Sequence, residues 1–122
     1  MGAMHDLYET HDEGETAVVT LRGELDAHDA PRLRELFAAA VTELEEATRP
    51  LLVLDLTGVA FLDSTALGTV LGAVRRVREI GGELRIVLPE TAARRIFEIT
   101  GLDDVLDVHP TREAALERAA EV

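Results

Sequence analysis

The apolar positions of this chain change period several times, and each change marks an element. Leu7 to Thr10 is a short β-rich stretch, and Asp12-Glu13-Gly14-Glu15 is a polar turn behind it. Thr16 to Leu21 alternates weakly, is β-rich and ends on Arg22-Gly23, so the two stretches predict a hairpin. Asp29-Ala30-Pro31 then opens a helix, with proline in its first turn. Leu33, Leu36, Phe37, Ala40, Val41 and Leu44 give that helix an apolar stripe, and Thr48-Arg49-Pro50 breaks it. Leu51 to Leu56 is almost continuously apolar, the pattern of a strand covered on both faces. Asp63 and Ser64 supply N-cap chemistry for a second helix, along which Leu67, Val70, Leu71, Val74 and Val77 recur at helical spacing. Gly81-Gly82 closes it in the manner of a C-cap. Leu84, Ile86 and Leu88 share one face of a strand from Glu83 to Leu88, and Pro89 stops it. Thr91 to Ile99 predicts a short helix closed by Gly101, Val105 to Val108 an edge strand, and Thr111 to Ala120 a last helix capped by Thr111.

The order ββαβαβαβα implies an α/β fold: a mixed four- to five-stranded sheet with about four helices packed on it. No internal repeat or low-complexity linker interrupts it. At 122 residues the chain fits one domain with a real core. Residues 1–14 read as a leading segment with an optional first strand, and residues 15–122 as the domain proper. Met1-Gly2-Ala3-Met4 offers a second start at Met4, which is compatible with a cloning remnant among these residues, and carries little weight in the fold.

Composition narrows the chemistry. Hydrophobic content of 47% and charged content of 30% describe a soluble globular chain. No apolar run is long enough to span a membrane, and no signal-peptide pattern opens the sequence, so no membrane insertion is expected. A net charge of −12 argues against a nucleic-acid partner. The basic residues are all arginine, which removes Schiff-base chemistry and a phosphate-loop lysine. The absence of cysteine removes disulfides and thiolate sites, and the absence of Asn and Gln removes side-chain amides as oxyanion donors. The Ala, Arg, Glu and Asp bias suggests a GC-rich bacterial genome and a cytoplasmic protein.

Ser64 is the only serine in the chain. It follows a buried strand and opens a helix, so its hydroxyl sits at the positive end of a helix dipole beside free backbone N–H groups. A phosphate added there meets a ready anion site, and the C-terminal ends of strands in α/β sheets are where sites gather. Asp63 and Asp26 are acidic neighbours that would repel such a phosphate while the helix end attracts it. An enzyme is not expected. The Gly-x-Ser-x-Gly elbow of a hydrolase is absent, since Leu62 and Ala66 flank Ser64. His5, His11, His28 and His109 show no i, i+4 metal spacing and read as solvated surface. Arg75, Arg76 and Arg78 on the second helix, and Arg94-Arg95 further on, read as solvated faces pairing with Glu79 or Glu98.

Leu62-Asp63-Ser64-Thr65-Ala66-Leu67-Gly68 resembles the Asp-Ser-Ser/Thr-Gly-Leu-Gly signature of anti-sigma-factor antagonists, in the STAS domain family. Upstream, Leu21-Arg22-Gly23-Glu24-Leu25-Asp26 resembles that family's Gly-x-Leu-Asp motif. Downstream, Gly81-Gly82-Glu83-Leu84-Arg85-Ile86-Val87 is similar to the strand after the switch helix. The resemblance runs from about Val18 to Ala119, and it departs at Ala66, where the family usually has glycine.

This resemblance implies a single STAS-type domain acting as a phosphorylation-controlled binding module. The unphosphorylated form would bind an anti-sigma factor of the serine-kinase type and release a sigma factor. Phosphorylation of Ser64 would end binding, and a phosphatase would restore it; Thr65 is a weaker alternative acceptor. The expected partner-binding residues are Asp26, Asp63, Ser64, Thr65, Ala66 and Leu67, within the Leu62-to-Gly68 turn and the loop from Glu24 to Asp29. The nucleotide and Mg²⁺ belong to the kinase, so no cofactor is expected in this chain. Two other roles are compatible with the same family: a STAS subunit bound to the ATPase of an ABC-type transporter, and a regulatory STAS domain that binds a small ligand such as a nucleotide.

Overall fold

The apolar run at Leu51 forms the middle of the sheet. A computed structural model describes residues 7–118. Its strands are β1 (Leu7–His11), β2 (Thr16–Leu25), β3 (Leu51–Leu62), β4 (Glu83–Val87) and β5 (Asp107–His109). They lie in the spatial order β1-β2-β3-β4-β5. β1 pairs antiparallel with β2, and every later neighbour is parallel. The mixed sheet follows from the connections: a tight turn joins β1 to β2, while the crossovers carry the helices that parallel pairing requires.

Four α-helices accompany the sheet: α1 (Ala30–Leu44), α2 (Ser64–Glu79), α3 (Ala92–Ile99) and α4 (Arg112–Leu116). Side chains alternate across β3, and the two faces meet different cores. Leu52, Leu54 and Leu56 join Leu33 and Phe37 of α1, Val70 and Val77 of α2, and Phe97 of α3. Leu51 and Val53 join Val18, Val87 and Ala115 of α4 on the opposite side. Burial on both faces explains the lack of polar alternation from Leu51 to Leu54.

Local signals set most helix ends. The Asp63, Thr91 and Thr111 side chains accept the N–H groups of Ala66, Arg94 and Ala114 respectively. Gly81 takes φ +82, and the Gly82 N–H donates to the Val77 carbonyl, closing α2 as a glycine C-cap does.

Four boundaries differ from the sequence expectation. β2 does not stop at Leu21, and β3 does not stop at Leu56. They continue as a two-stranded ribbon in which Arg22 faces Gly58, Glu24 faces Phe61 and Leu25 faces Leu62, beyond the last β3–β4 pair, Asp55 with Val87. Two register shifts interrupt the β2–β3 ladder, between Thr20 and Arg22 and between Gly23 and Glu24. They break the two-residue period that would have announced a strand. Gly58 is required in this ribbon, because a Cβ there would lie 2.9 Å from the Cβ of Arg22. The last strand is Asp107–His109 rather than Val105 to Val108. Val105 is 65% exposed after a single 3₁₀ turn, and Leu106 is the residue that enters the core. The last helix ends at Leu116, because Glu117 adopts an extended ψ of 124° and the Arg85 guanidinium takes the carbonyls of Ala115 and Glu117. The expected end at Ala120 lies outside the described residues, as does His5.

Two carboxylates fasten the ends of the sheet. At one end Glu15 accepts the backbone N–H groups of Thr48 at 3.0 Å and Arg49 at 2.7 Å, one on each oxygen. Those bonds, that from Arg49 first, hold its carboxyl below the usual carboxylate range. At the other end the corresponding fastener is Asp63, within the candidate site.

Candidate functional site

The β2–β3 ribbon carries the site past the body of the sheet. Its last pair, Leu25 with Leu62, is followed on β2 by Asp26 and on β3 by Asp63. The Asp63 N–H donates to the Leu25 carbonyl at 3.0 Å, so the two chains leave the ribbon side by side. One then makes a short 3₁₀ turn, Ala27–Asp29, before α1; the other enters α2 directly.

Each acidic residue here has a defined task. Asp63 Oδ1 accepts the Ala66 N–H at 2.9 Å and caps α2. Asp63 Oδ2 accepts the Ala27 N–H at 3.1 Å and ties the neighbouring turn to that cap. Asp26 Oδ1 accepts the His28 N–H at 2.9 Å, while Asp29 Oδ2 accepts the Asp26 N–H at 3.0 Å, a reciprocal capping box. The carboxylates therefore organise the loops on which they sit.

Ser64 is the first residue of α2 and is exposed. The first intrahelical bond is Leu67 N–H to the Asp63 carbonyl, and the Ala66 N–H is held by the cap. The Ser64 and Thr65 N–H groups stand at the end of the helix, where no intrahelical acceptor reaches them. Ser64 thus lies exposed at the helix terminus, directly after a carboxylate already committed to two N–H donors.

The expected site residues divide by exposure. Asp26, Ser64 and Thr65 are exposed, Asp63 and Leu67 are half-buried, and Ala66 is fully buried. Ala66 therefore presents no surface to a partner. Its methyl group lies in the core with Leu33, Phe37 and Val70, so alanine in place of glycine adds buried apolar volume without narrowing the docking face. Phe61, which the sequence reading passed over, is 46% exposed on the ribbon two residues before Asp63. Its signal was faint: a large apolar residue in a stretch whose alternation the bulges obscure. Among the described residues no group of His, Cys, Asp or Glu could hold a metal ion, and no helix is long and apolar enough to cross a membrane.

The STAS domain model matches residues 8–115, nearly the whole described chain. The chain belongs to the STAS domain family. Within that family it is similar to the anti-sigma F factor antagonist of Lysinibacillus sphaericus, with 32% identity over 104 residues that make up 85% of this chain and 86% of that protein. Among solved structures, an anti-sigma factor antagonist from Mycobacterium paratuberculosis superimposes with a TM-score of 0.79 at 33% identity, covering 93% of this chain and 91% of the other. The Bacillus cell fate determinant SpoIIAA in its phosphorylated form gives a TM-score of 0.63 at 25% identity, covering 92% and 96%. The STAS fold accounts for the five-stranded sheet and the four helices.

Proposed function

We propose that this STAS domain is an anti-sigma factor antagonist switched by phosphorylation of Ser64. Its unphosphorylated form binds an anti-sigma serine kinase in the cytoplasm and so frees a sigma factor. Phosphate on Ser64 ends that binding, and a phosphatase restores it. The observation that carries this reading is the setting of the chain's only serine: exposed, at the first position of α2, directly behind the Asp63 cap. Relatives over most of the chain's length are named as anti-sigma factor antagonists, and one structural relative is known in a phosphorylated form.

The binding face consists of the exposed residues around that serine: Asp26, Thr65, Phe61 and the half-buried Leu67. The switch is electrostatic. A partner surface that accommodates a neutral hydroxyl meets, after phosphorylation, an anion beside Asp63 that must be desolvated on docking. The fold needs no rearrangement for this.

The test pairs affinity with site mapping. The chain is incubated with ATP and the serine-kinase anti-sigma factors encoded in its own genome. Phosphate should appear on Ser64 and be absent from Ser64→Ala. Ser64→Asp should bind at least tenfold more weakly than Ser64→Ala, about 1.4 kcal/mol. Equal affinities for the two variants, or phosphate found only on threonine, would sink the proposal.

A further inference from the structure

Between α1 and α2 runs a groove of about 300 Å³, lined by Arg34 and Phe37 on one side and by Thr65, Gly68, Thr69, Gly72, Ala73 and Arg76 on the other. Its base is apolar: Phe37 and Ala73 belong to the core below it. The Thr69 hydroxyl is already donated to the Ala66 carbonyl at 2.6 Å and adds no free proton to the base. A Cβ built on Gly68 or Gly72 meets nothing within 4 Å, so the space above those glycines is open. At the rim stand two guanidiniums.

Arg85, Arg94, Arg112 and Arg118 each have a carboxylate within 4.0 Å. Among the described residues, Arg34 and Arg76 have no ion-pair partner, as is also true of Arg22, Arg75, Arg78 and Arg95; what sets Arg34 and Arg76 apart is that they line the apolar groove. No acidic residue stands four positions from either on its own helix, and Glu79, three positions after Arg76, makes no ion pair with it. Ala30 and Ala38 lie four residues either side of Arg34, and Gly72 and Ile80 either side of Arg76. Two uncompensated cations thus flank an apolar trough.

We propose that this groove is a binding site for a small amphiphilic carboxylate, with an unbranched apolar chain along α2 and its carboxylate between Arg34 and Arg76. Charge decides the head group. The chain carries −12 overall, so an anion is held only where local guanidiniums outweigh that field. Shape decides the tail. The lining residues Thr65 to Arg76 span about 16 Å of helix, whereas only one turn of α1 contributes, so the trough is long and narrow. Its volume is at the small end for ligand sites. A partner helix would need apolar anchors along several turns of both walls, which this groove does not offer.

The experiment needs no partner protein, so its failure is distinguishable from failure of the antagonist proposal. Octanoate, decanoate, decylamine and decanol, each below its micelle concentration, are titrated into the whole chain by calorimetry, with amide shifts of Gly68 and Gly72 followed by NMR. Decanoate should bind, octanoate more weakly by roughly fourfold per methylene lost, and the amine and alcohol at least tenfold more weakly. Gly72→Leu should abolish binding without lowering the melting temperature, since its side chain enters open space and leucine favours a helix over glycine. Arg34→Ala with Arg76→Ala should weaken decanoate at least tenfold. Equal affinity for acid and amine, or unchanged binding to Gly72→Leu, would overturn the assignment. So would no binding of decanoate to the unmodified chain, binding of an acidic helical peptide instead, or sedimentation with anionic phospholipid vesicles in the absence of decanoate binding.

Discussion

Asp63 Oδ2 holds the backbone N–H of Ala27 at 3.1 Å across 36 residues of sequence. Its other oxygen caps α2 through Ala66. One side chain therefore couples the loop before α1 to the first turn of the helix that carries Ser64. The acidic residue in front of the serine is first a positioning element, and only then a charge that a phosphate would face.

Replacing Asp63 separates these tasks. Asp63→Ala loses the cap and the tie, and should destabilise the domain by about 1.5–2 kcal/mol, seen as a fall in melting temperature of about 5–8 °C. Asp63→Asn keeps one acceptor for Ala66 but its amide nitrogen cannot accept from Ala27. It should cost about half as much while speeding hydrogen exchange at Ala27. Equal melting temperatures for Asp63→Ala and the parent would show that neither bond contributes.

Phosphorylation of Ser64 should leave stability nearly unchanged. The helix terminus favours the phosphate by roughly 0.3–2 kcal/mol, and the Asp63 carboxylate with the net charge of −12 opposes it. The melting temperatures of the two forms should agree within about 4 °C, or about 1 kcal/mol at this size. A shift of twice that would mean that the switch remodels the fold.

Arg112 ties three distant parts of the chain together. Its guanidinium reaches Asp55 Oδ2 at 2.9 Å, Glu9 Oε1 at 3.0 Å and Thr20 Oγ1 at 2.8 Å. Asp55 is only 6% exposed, so Arg112→Met leaves a nearly buried carboxylate without its cation. Breaking a fully buried pair costs about 3–5 kcal/mol; with Arg112 itself partly solvated, about 2 kcal/mol is expected, or roughly 8 °C in melting temperature. Adding Asp55→Asn to Arg112→Met should recover part of that loss, and a strictly additive double variant would rule out coupling between the two.

Glu15 gives the domain a pH-dependent term of known sign. Its carboxyl is held below its ordinary value in the folded chain by the N–H groups of Arg49 and Thr48. The unfolded chain therefore binds the proton more readily, and the stabilisation is complete above the ordinary carboxylate range and lost as pH falls through the lowered value. Urea midpoints of the parent and Glu15→Gln should differ at neutral pH and converge in acid, once the pH has fallen below the lowered value. A difference that stayed constant with pH would mean that the glutamate's charge has no part in it.

The chain's local patterns by themselves determined the two ends of α2, the register of α1's apolar stripe and the doubly covered strand at Leu51. Each of these depends on neighbours within a few residues: a cap three positions from its N–H, a stripe that returns every turn, a run with no polar face. The motif around Ser64 was legible for the same reason, since a helix start is a local event. What lay beyond that range only the tertiary structure decided. The ribbon from Arg22 to Leu25 and from Gly58 to Leu62 exists because two strands pair with bulges between them, and bulges erase the alternation that would reveal a strand in one sequence. Ala66 looked like surface because it sits in the motif, yet the rotation of α2 against α1 turns its methyl into the core. Phe61 and the guanidiniums of Arg34 and Arg76 are surface features for a related reason: a side chain's exposure depends on which element packs opposite it. Asp55 and Arg112 meet across 57 residues, and no period in the chain relates them. Periodicity reports how a segment meets water and core; it carries no information about which distant segment supplies the other half of an ion pair.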